Sequence, residues 1–325
     1  MKAVVYTEFG SPKVLRLEEI PKPIPSDDEV LVKIHAASVN YGDWAALVGS
    51  PLLVRLMNGP LRPRNKILGD DIAGRVEAVG RNAKHFQPGV EVFGISKFGA
   101  FAEYWCGTED YLALKPANIT FEEAAAVPIA AITALQGLRD KGQIQSGQQV
   151  LINGASGGVG TFAVQIAKSV GAEVTGVCSA SKMDMVRSIG ADHVIDYSEQ
   201  DFTRSGQHYD LILAVGGYHP ISAYRGALSR EGIYVCAGGS MAQYSQALLL
   251  GPLISLTGKR KLGVVFPMPN QKDLALMMEL FVAGKVVSVI DRRYSLKDVP
   301  EALRYFGEGH TRGKIVITME RNNKT

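Results

Sequence analysis

Apolar residues follow two different rhythms along this chain, and the change between them falls near residue 121. Before it, short runs rich in valine, isoleucine and aromatic residues are separated by glycine, proline, asparagine and aspartate, the pattern of strands and turns. Residues 1–6, 30–36, 74–79 and 90–94 read as strands, with Gln87-Pro88-Gly89 as the turn before the last of them. After it, a helix is predicted from Phe121, with Thr120 as N-cap and Glu123 completing a capping box. Apolar runs of strand length at 150–153, 173–178, 193–195, 210–215, 232–237 and 262–266 then alternate with helix-period segments. Strands that are apolar throughout suit a sheet covered on both faces, and this alternation predicts an α/β fold with a parallel, doubly wound sheet. The tail carries a helix near 272–283 and a last strand at 314–318. A chain of 325 residues is long enough for two domains. The expected limits are 1–121 for a β-rich domain, 122–266 for the parallel-sheet domain, and 267–325 for a segment returning to the first.

The first parallel strand, Val150-Leu151-Ile152-Asn153, runs into Gly154-Ala155-Ser156-Gly157-Gly158-Val159-Gly160, and a helix-period segment follows at 161–168. Glycines here permit a sharp turn, close approach of a ligand, and tight helix–strand packing. The helix start then offers free N–H groups and a positive dipole end to a pyrophosphate. Gly154, Ser156, Gly157, Gly158, Val159 and Gly160 are therefore expected to bind a dinucleotide. In an NAD site an acid about 20 residues further on holds the ribose 2′-OH. The second strand ends instead in Ser179-Ala180-Ser181-Lys182, with no Asp or Glu. A hydroxyl and an ammonium suit a 2′-phosphate, so the expected cofactor is NADPH, held there by Ser179, Lys182 and Tyr197.

Composition narrows the class. Hydrophobic residues make up 46% and charged residues 21%, which predicts a substantial core and not disorder. A net charge of +3, spread along the chain, gives no argument for nucleic acid or for an anionic membrane as partner. Cys106, Cys178 and Cys236 are odd in number and far apart, which fits small buried hydrophobes in a reducing cytoplasm. No signal peptide is recognised at Met1, and the apolar stretch 124–138 is too short for a span and contains Pro128, so a soluble protein is expected.

With these residues in view, the chain resembles the zinc-independent quinone oxidoreductases of the medium-chain dehydrogenase/reductase superfamily. The resemblance runs over essentially the whole length. It is carried by Ala37-Ser38-Val39-Asn40-Tyr41-Gly42-Asp43, Leu68-Gly69-Asp70-Asp71-Ile72-Ala73-Gly74, Gly99-Ala100-Phe101-Ala102-Glu103-Tyr104, Ala125-Ala126-Val127-Pro128, the glycine turn, Gly190-Ala191-Asp192 and Arg312-Gly313-Lys314-Ile315-Val316. It implies a GroES-like catalytic domain before a Rossmann domain, a homodimer, and a quinone or an α,β-unsaturated carbonyl as hydride acceptor. It also implies further cofactor contacts at Thr133, Val215, Gly238, Phe266 and Lys314. Catalytic roles fall to the Val-Asn-x-x-Asp motif: Asn40 as donor to the acceptor oxygen or as a brace for its loop, Tyr41 as acid or aromatic wall, and Asp43 as the group orienting the loop or a water.

Zinc-dependent relatives have a cysteine ligand where this chain has Asn40, and Gly-His-Glu where it has Gly69-Asp70-Asp71. A catalytic zinc needs three ligands of the Cys, His or carboxylate type, so no metal is expected. Reduction of an already electrophilic acceptor needs no Lewis acid, since the cofactor carries the chemistry. The segment 52–65 differs from the family pattern, which puts the shape of the acceptor pocket in doubt. Two rival readings are a zinc-dependent alcohol dehydrogenase and a binding protein that keeps the cofactor fold without reductase activity.

Overall fold

A computed structural model describes residues 1–319 and divides the chain into two compact units. The first comprises Met1–Ile129, Pro269–Val282 and the described residues from Ile290 to Met319; the second comprises Ala130–Met268 and Ala283–Val289.

In the first unit the strands are β1 (Lys2–Val5), β2 (Arg16–Glu19), β3 (Glu29–Ser38), β4 (Asp71–Val79), β5 (Glu91–Ile95), β6 (Tyr104–Thr108) and β7 (Leu112–Leu114). Between β3 and β4 lie two short helices, α1 (Tyr41–Val48) and α2 (Leu52–Asn58), and α3 (Phe121–Ala125) follows β7. Thr120 caps α3 as predicted: the Glu123 backbone donates to its Oγ1 while the Glu123 carboxylate accepts from its backbone N–H.

Helix α4 (Pro128–Gln136), whose residues from Ala130 belong to the second unit, leads there into β8 (Gln149–Asn153), α5 (Gly158–Val170), β9 (Glu173–Cys178), α6 (Met183–Ser188), β10 (His193–Asp196) and β11 (Tyr209–Ala214). Then come α7 (Ile221–Ala227), β12 (Leu228–Cys236), α8 (Met241–Thr257) and β13 (Lys261–Val264). These six strands form one sheet in the order β10-β9-β8-β11-β12-β13, and every pairing is parallel. That order reverses at β8/β11, the switch point where doubly wound sheets take their ligands. Leu151, Ile212, Tyr224 and Tyr234 belong to the core on one side of it.

The tail adds α9 (Gln271–Val282), β14 (Ile290–Ser295), α10 (Val299–Gly307) and β15 (Lys314–Thr318). β15 pairs antiparallel with β3, placing Val316 opposite Ser38, and with β14 beside it extends the first unit's sheet to seven strands. Its Ile315 and Ile317 enter a core with Val32, Ile34, Leu68 and Phe101. One stretch of the tail departs from the expected return: Ala283–Val289 belongs with the second unit. There Gln165 Nε2 donates to the Val287 carbonyl and the Val287 N–H donates back to Gln165 Oε1, a two-bond clasp that periodicity does not encode. Residues 320–325 of the expected C-terminal segment lie outside the described residues.

Candidate functional site

In the second unit the β8–α5 turn is built as a cradle. Gly154 has φ +89°, a backbone that side chains rarely adopt, and a Cβ there would lie 2.7 Å from the Gly216 nitrogen. A Cβ on Gly160 would lie 2.0 Å from the Gly154 carbonyl oxygen, so only glycine lets α5 pack this close to the strand. The N–H groups of Gly154 and Ala155 both donate to Val177 O at the end of β9, fixing the turn. Gly157 caps α5, whose first turn carries no acidic side chain. The Ser156 side chain is buried and makes no hydrogen bond among the described residues. A helix start with open N–H groups and a spare hydroxyl fits a pyrophosphate.

The end of β9 assembles the other expected residues. Lys182 N–H donates to Ser179 O at 2.9 Å, which curls Ser179–Lys182 into one turn. Tyr197 N–H donates to Cys178 O at 3.2 Å, which pins the exposed Tyr197 beside that turn. Asp196 of β10 lies opposite Cys178 in register, and one of its oxygens accepts from the Ser198 N–H. Burial pushes the Cys178 thiol up to about 11, reinforced by Asp196 and opposed by the charges of Lys182 and Arg187. Arg187 on α6 thus supplies a second cation near this end of the sheet. Sequence reading missed it; it lies in the last turn of α6, five residues after Lys182, where its Nη1 donates to Asp184 Oδ1 at 3.0 Å.

Val215 and Gly238, at the ends of β11 and β12, approach so closely that a Cβ on Gly238 would lie 2.2 Å from the Val215 oxygen. Phe266, just past β13, is exposed, and Thr133 is buried within α4.

In the first unit a buried polar cluster joins β3, β4, β15 and the start of α1. Asn40, the N-cap of α1, donates from Nδ2 to Asp71 Oδ2 at 2.8 Å and accepts at Oδ1 from Lys314 Nζ at 2.5 Å. Asp71 Oδ2 also accepts from Ser38 Oγ at 2.8 Å, and Asp71 Oδ1 accepts from the Ile129 N–H at 3.0 Å. Lys314 completes its three bonds on Val39 O at 3.1 Å and Asp71 Oδ2 at 3.3 Å. Both Lys314 and Asp71 are buried, so each charge is compensated by the other and by directed hydrogen bonds. This corrects the expectation for Lys314: its three donors are used inside the first unit and none is left for a phosphate. Asn40 keeps one Nδ2 hydrogen without a partner among the described residues.

Asp43 accepts from the Gly69 N–H at 2.9 Å and the Asn40 N–H at 2.7 Å, tying two loops together. Burial, followed by the charge of Asp70, holds its carboxyl well above the usual range. Asp70 accepts from the Phe98 N–H at 2.8 Å. Burial first, then the charge of Asp71, raises it to about 6, against the opposing pull of Phe98 N–H and Lys314. Tyr41 opens α1 with its ring exposed. Sequence reading assigned no role to Ser38 or Asp71. The signal was present: an aspartate leading into the apolar strand Ile72-Ala73 requires a distant cation.

Among the described residues no three His, Cys, Asp or Glu side chains are grouped to hold a metal. The donor set around Asn40 does not fit zinc either, because the Lys314 ammonium already occupies the space between Asn40 and Asp71. A divalent cation there would meet a buried positive charge.

Residues 26–117 match the family described as alcohol dehydrogenase GroES-like domain, and residues 189–317 match zinc-binding dehydrogenase. Quinone-oxidoreductase QR1, chloroplastic, from Triphysaria versicolor is 32% identical over 336 residues, covering 98% of both chains. The 2-methylene-furan-3-one reductase of Solanum lycopersicum is 33% identical, covering 98% of this chain and 79% of its own. Among solved structures, the quinone oxidoreductase of Coxiella burnetii superposes with a TM-score of 0.88 at 29% identity, covering 98% and 99%. The Escherichia coli quinone oxidoreductase complexed with NADPH superposes with a TM-score of 0.84 at 26% identity, covering 98% and 100%. With a GroES-like first unit, a doubly wound second unit and relatives aligned over nearly its full length, the chain belongs to the quinone oxidoreductase family of the medium-chain dehydrogenase/reductase superfamily.

Proposed function

We propose that this protein is an NADPH-dependent oxidoreductase that reduces a quinone or an α,β-unsaturated carbonyl without zinc. The observation that carries the reading is the β8–α5 cradle, where Gly154 and Gly160 bring backbone N–H groups to the switch point of a doubly wound sheet. When bound, the nicotinamide supplies the hydride, and the protein's part is binding, orientation and charge. The N–H groups at the start of α5 and the Ser156 hydroxyl hold the pyrophosphate. Ser179, Lys182, Tyr197 and Arg187 face the 2′-phosphate, which favours NADPH over NADH. The free Nδ2 hydrogen of Asn40, its amide plane fixed by Asp71 and Lys314, is the donor that orients the acceptor oxygen and steadies charge gathering on it. Thr133, Val215, Gly238 and Phe266 complete the cofactor contacts, and Tyr41 supplies an aromatic face for a flat acceptor.

Homodimer formation is part of the same proposal. It is supported by β13, the free edge of the six-stranded sheet, and by exposed Leu249, Leu253 and Leu256 on α8, which packs against that strand. Cytoplasmic residence is supported by three cysteines that form no disulfide, and no helix among the described residues is long and apolar enough to cross a membrane. The test is a screen of NADPH oxidation over quinones, alkenals and alkenones. Turnover with members of one class establishes the reaction, and silence with all of them refutes it.

A further inference from the structure

Helix α2 presents its apolar residues to solvent and its polar ones to the body of the first unit. Asn58, at its end, is buried and donates from Nδ2 to Tyr6 Oη at 2.8 Å. Arg55 lies 5.0 Å from the centre of the Phe9 ring, and its Nε donates to Pro60 O at 3.1 Å. Positions 55 and 58 share a helix face, so positions 53, 56 and 57 are carried to the opposite one, while Leu52 is the first residue of the helix. Leu52, Leu53, Leu56 and Met57 are accordingly 52–72% exposed, and Leu61 in the following loop is 84% exposed. Contiguous exposure of large apolar side chains marks an interaction surface.

The charge around this patch has one sign. Between Trp44 and Gly69 there is no Asp or Glu, while Arg55, Arg62, Arg64 and Lys66 are all present. Arg62, Arg64 and Lys66 are exposed, and none of them forms an ion pair among the described residues. A second copy seated symmetrically on this patch would set the same cations against one another, since a two-fold interface pairs a surface with itself. A bilayer with anionic head groups offers both an apolar layer and the opposite charge.

We propose that the α2 segment docks on an anionic lipid surface. Leu53, Leu56, Met57 and Leu61 enter the acyl boundary, and Arg62, Arg64 and Lys66 meet the head groups. The small net charge of the whole chain conceals this patch because acids elsewhere balance it. A surface of this kind would also bring the protein to lipophilic compounds dissolved in the bilayer, but the docking stands on the patch alone and does not depend on the acceptor.

Flotation of the full chain with vesicles of phosphatidylcholine, or of phosphatidylcholine mixed with phosphatidylglycerol, decides it. The protein should float with the anionic vesicles, remain behind with the neutral ones, and be released by high salt. Each basic residue near such a surface contributes roughly fivefold in affinity, so Arg62→Gln with Arg64→Gln should weaken binding about thirtyfold. Leu53→Ser with Met57→Ser should weaken it by about tenfold or more by removing inserted apolar surface. Both variants alter exposed side chains and should keep the wild-type unfolding temperature. The proposal is overturned by three results: no flotation with anionic vesicles, equal flotation of wild type and variants, or patch variants that turn an oligomer into a monomer.

Discussion

Lys314 Nζ donates to Asn40 Oδ1 at 2.5 Å, joining the last strand to the cap of the first helix across 274 positions of sequence. The same ammonium stands 3.3 Å from Asp71, so one cation supports both an amide and a buried carboxylate. Replacing it by Lys314→Met leaves Asp71 as an uncompensated buried charge, which costs about 3–5 kcal/mol. Denaturant unfolding should show that loss, while NADPH affinity, measured where the variant is still folded, should change little. A stable variant with weakened NADPH binding would return Lys314 to the phosphates.

Asn40→Ala removes the amide that Asp71 and Lys314 hold in place. Loss of one donor to a developing oxyanion lowers kcat by ~10²-fold, with cofactor affinity nearly unchanged. Steady-state kinetics with the best acceptor from the screen measures this. Normal turnover in the variant would leave Asn40 with only its bracing role.

Lys182→Ala should weaken NADPH binding about tenfold and leave NADH binding nearly unchanged, because a hydrogen bond to a charged group contributes roughly 1.5–3 kcal/mol and solvent reduces it at this half-buried site. The difference should narrow at high salt. Titration of both cofactors against both proteins reads it directly; equal weakening of the two cofactors would refute the phosphate assignment.

Asp70 is raised from 3.8 to about 6 in the fold, so the folded state binds a proton more tightly than the unfolded chain. Its contribution is therefore neutral at acid pH and turns destabilising as pH rises from about 4 through about 6, where the folded protein must accept the charge. Asp70→Asn keeps an acceptor for the Phe98 N–H and removes the charge. The variant should be more stable than wild type by about 3 kcal/mol above about pH 7, with the gain vanishing below about pH 4. Unfolding free energies across that range test the sign as well as the size; a variant less stable than wild type at neutral pH, with the difference vanishing in acid, would mean Asp70 is stabilised as the anion.

Prolonged exposure to a chelator should leave reductase activity intact, and the purified protein should contain far less than one zinc per chain. The reason is the Lys314 ammonium lodged between Asn40 and Asp71. Elemental analysis that found stoichiometric zinc, with activity lost to the chelator, would require that cluster to rearrange around a metal.

The sequence by itself determined the parallel sheet, its order of strands and helices, and the glycine turn at its first strand. Each of these is local: a strand buried on both faces is apolar throughout, a helix has its own period, Gly154 is marked by its own positive φ, and Gly160 by the backbone of Gly154 six positions earlier. The capping box at Thr120 and Glu123 was legible for the same reason. Only the tertiary structure decided the partners of Lys314, which the motif at 312–316 directed toward phosphates and which β15, paired with β3, instead carries into the first unit's interior. It alone revealed helix α2 and its facing, in a segment that the sequence marked only as departing from the family pattern. The Asn58–Tyr6 bond and the Arg55–Phe9 contact hold its polar residues against the first unit and leave Leu53, Leu56 and Met57 outward. Period states which residues share a face, but which face is covered depends on neighbours brought from distant parts of the chain, and those neighbours are not encoded in the period.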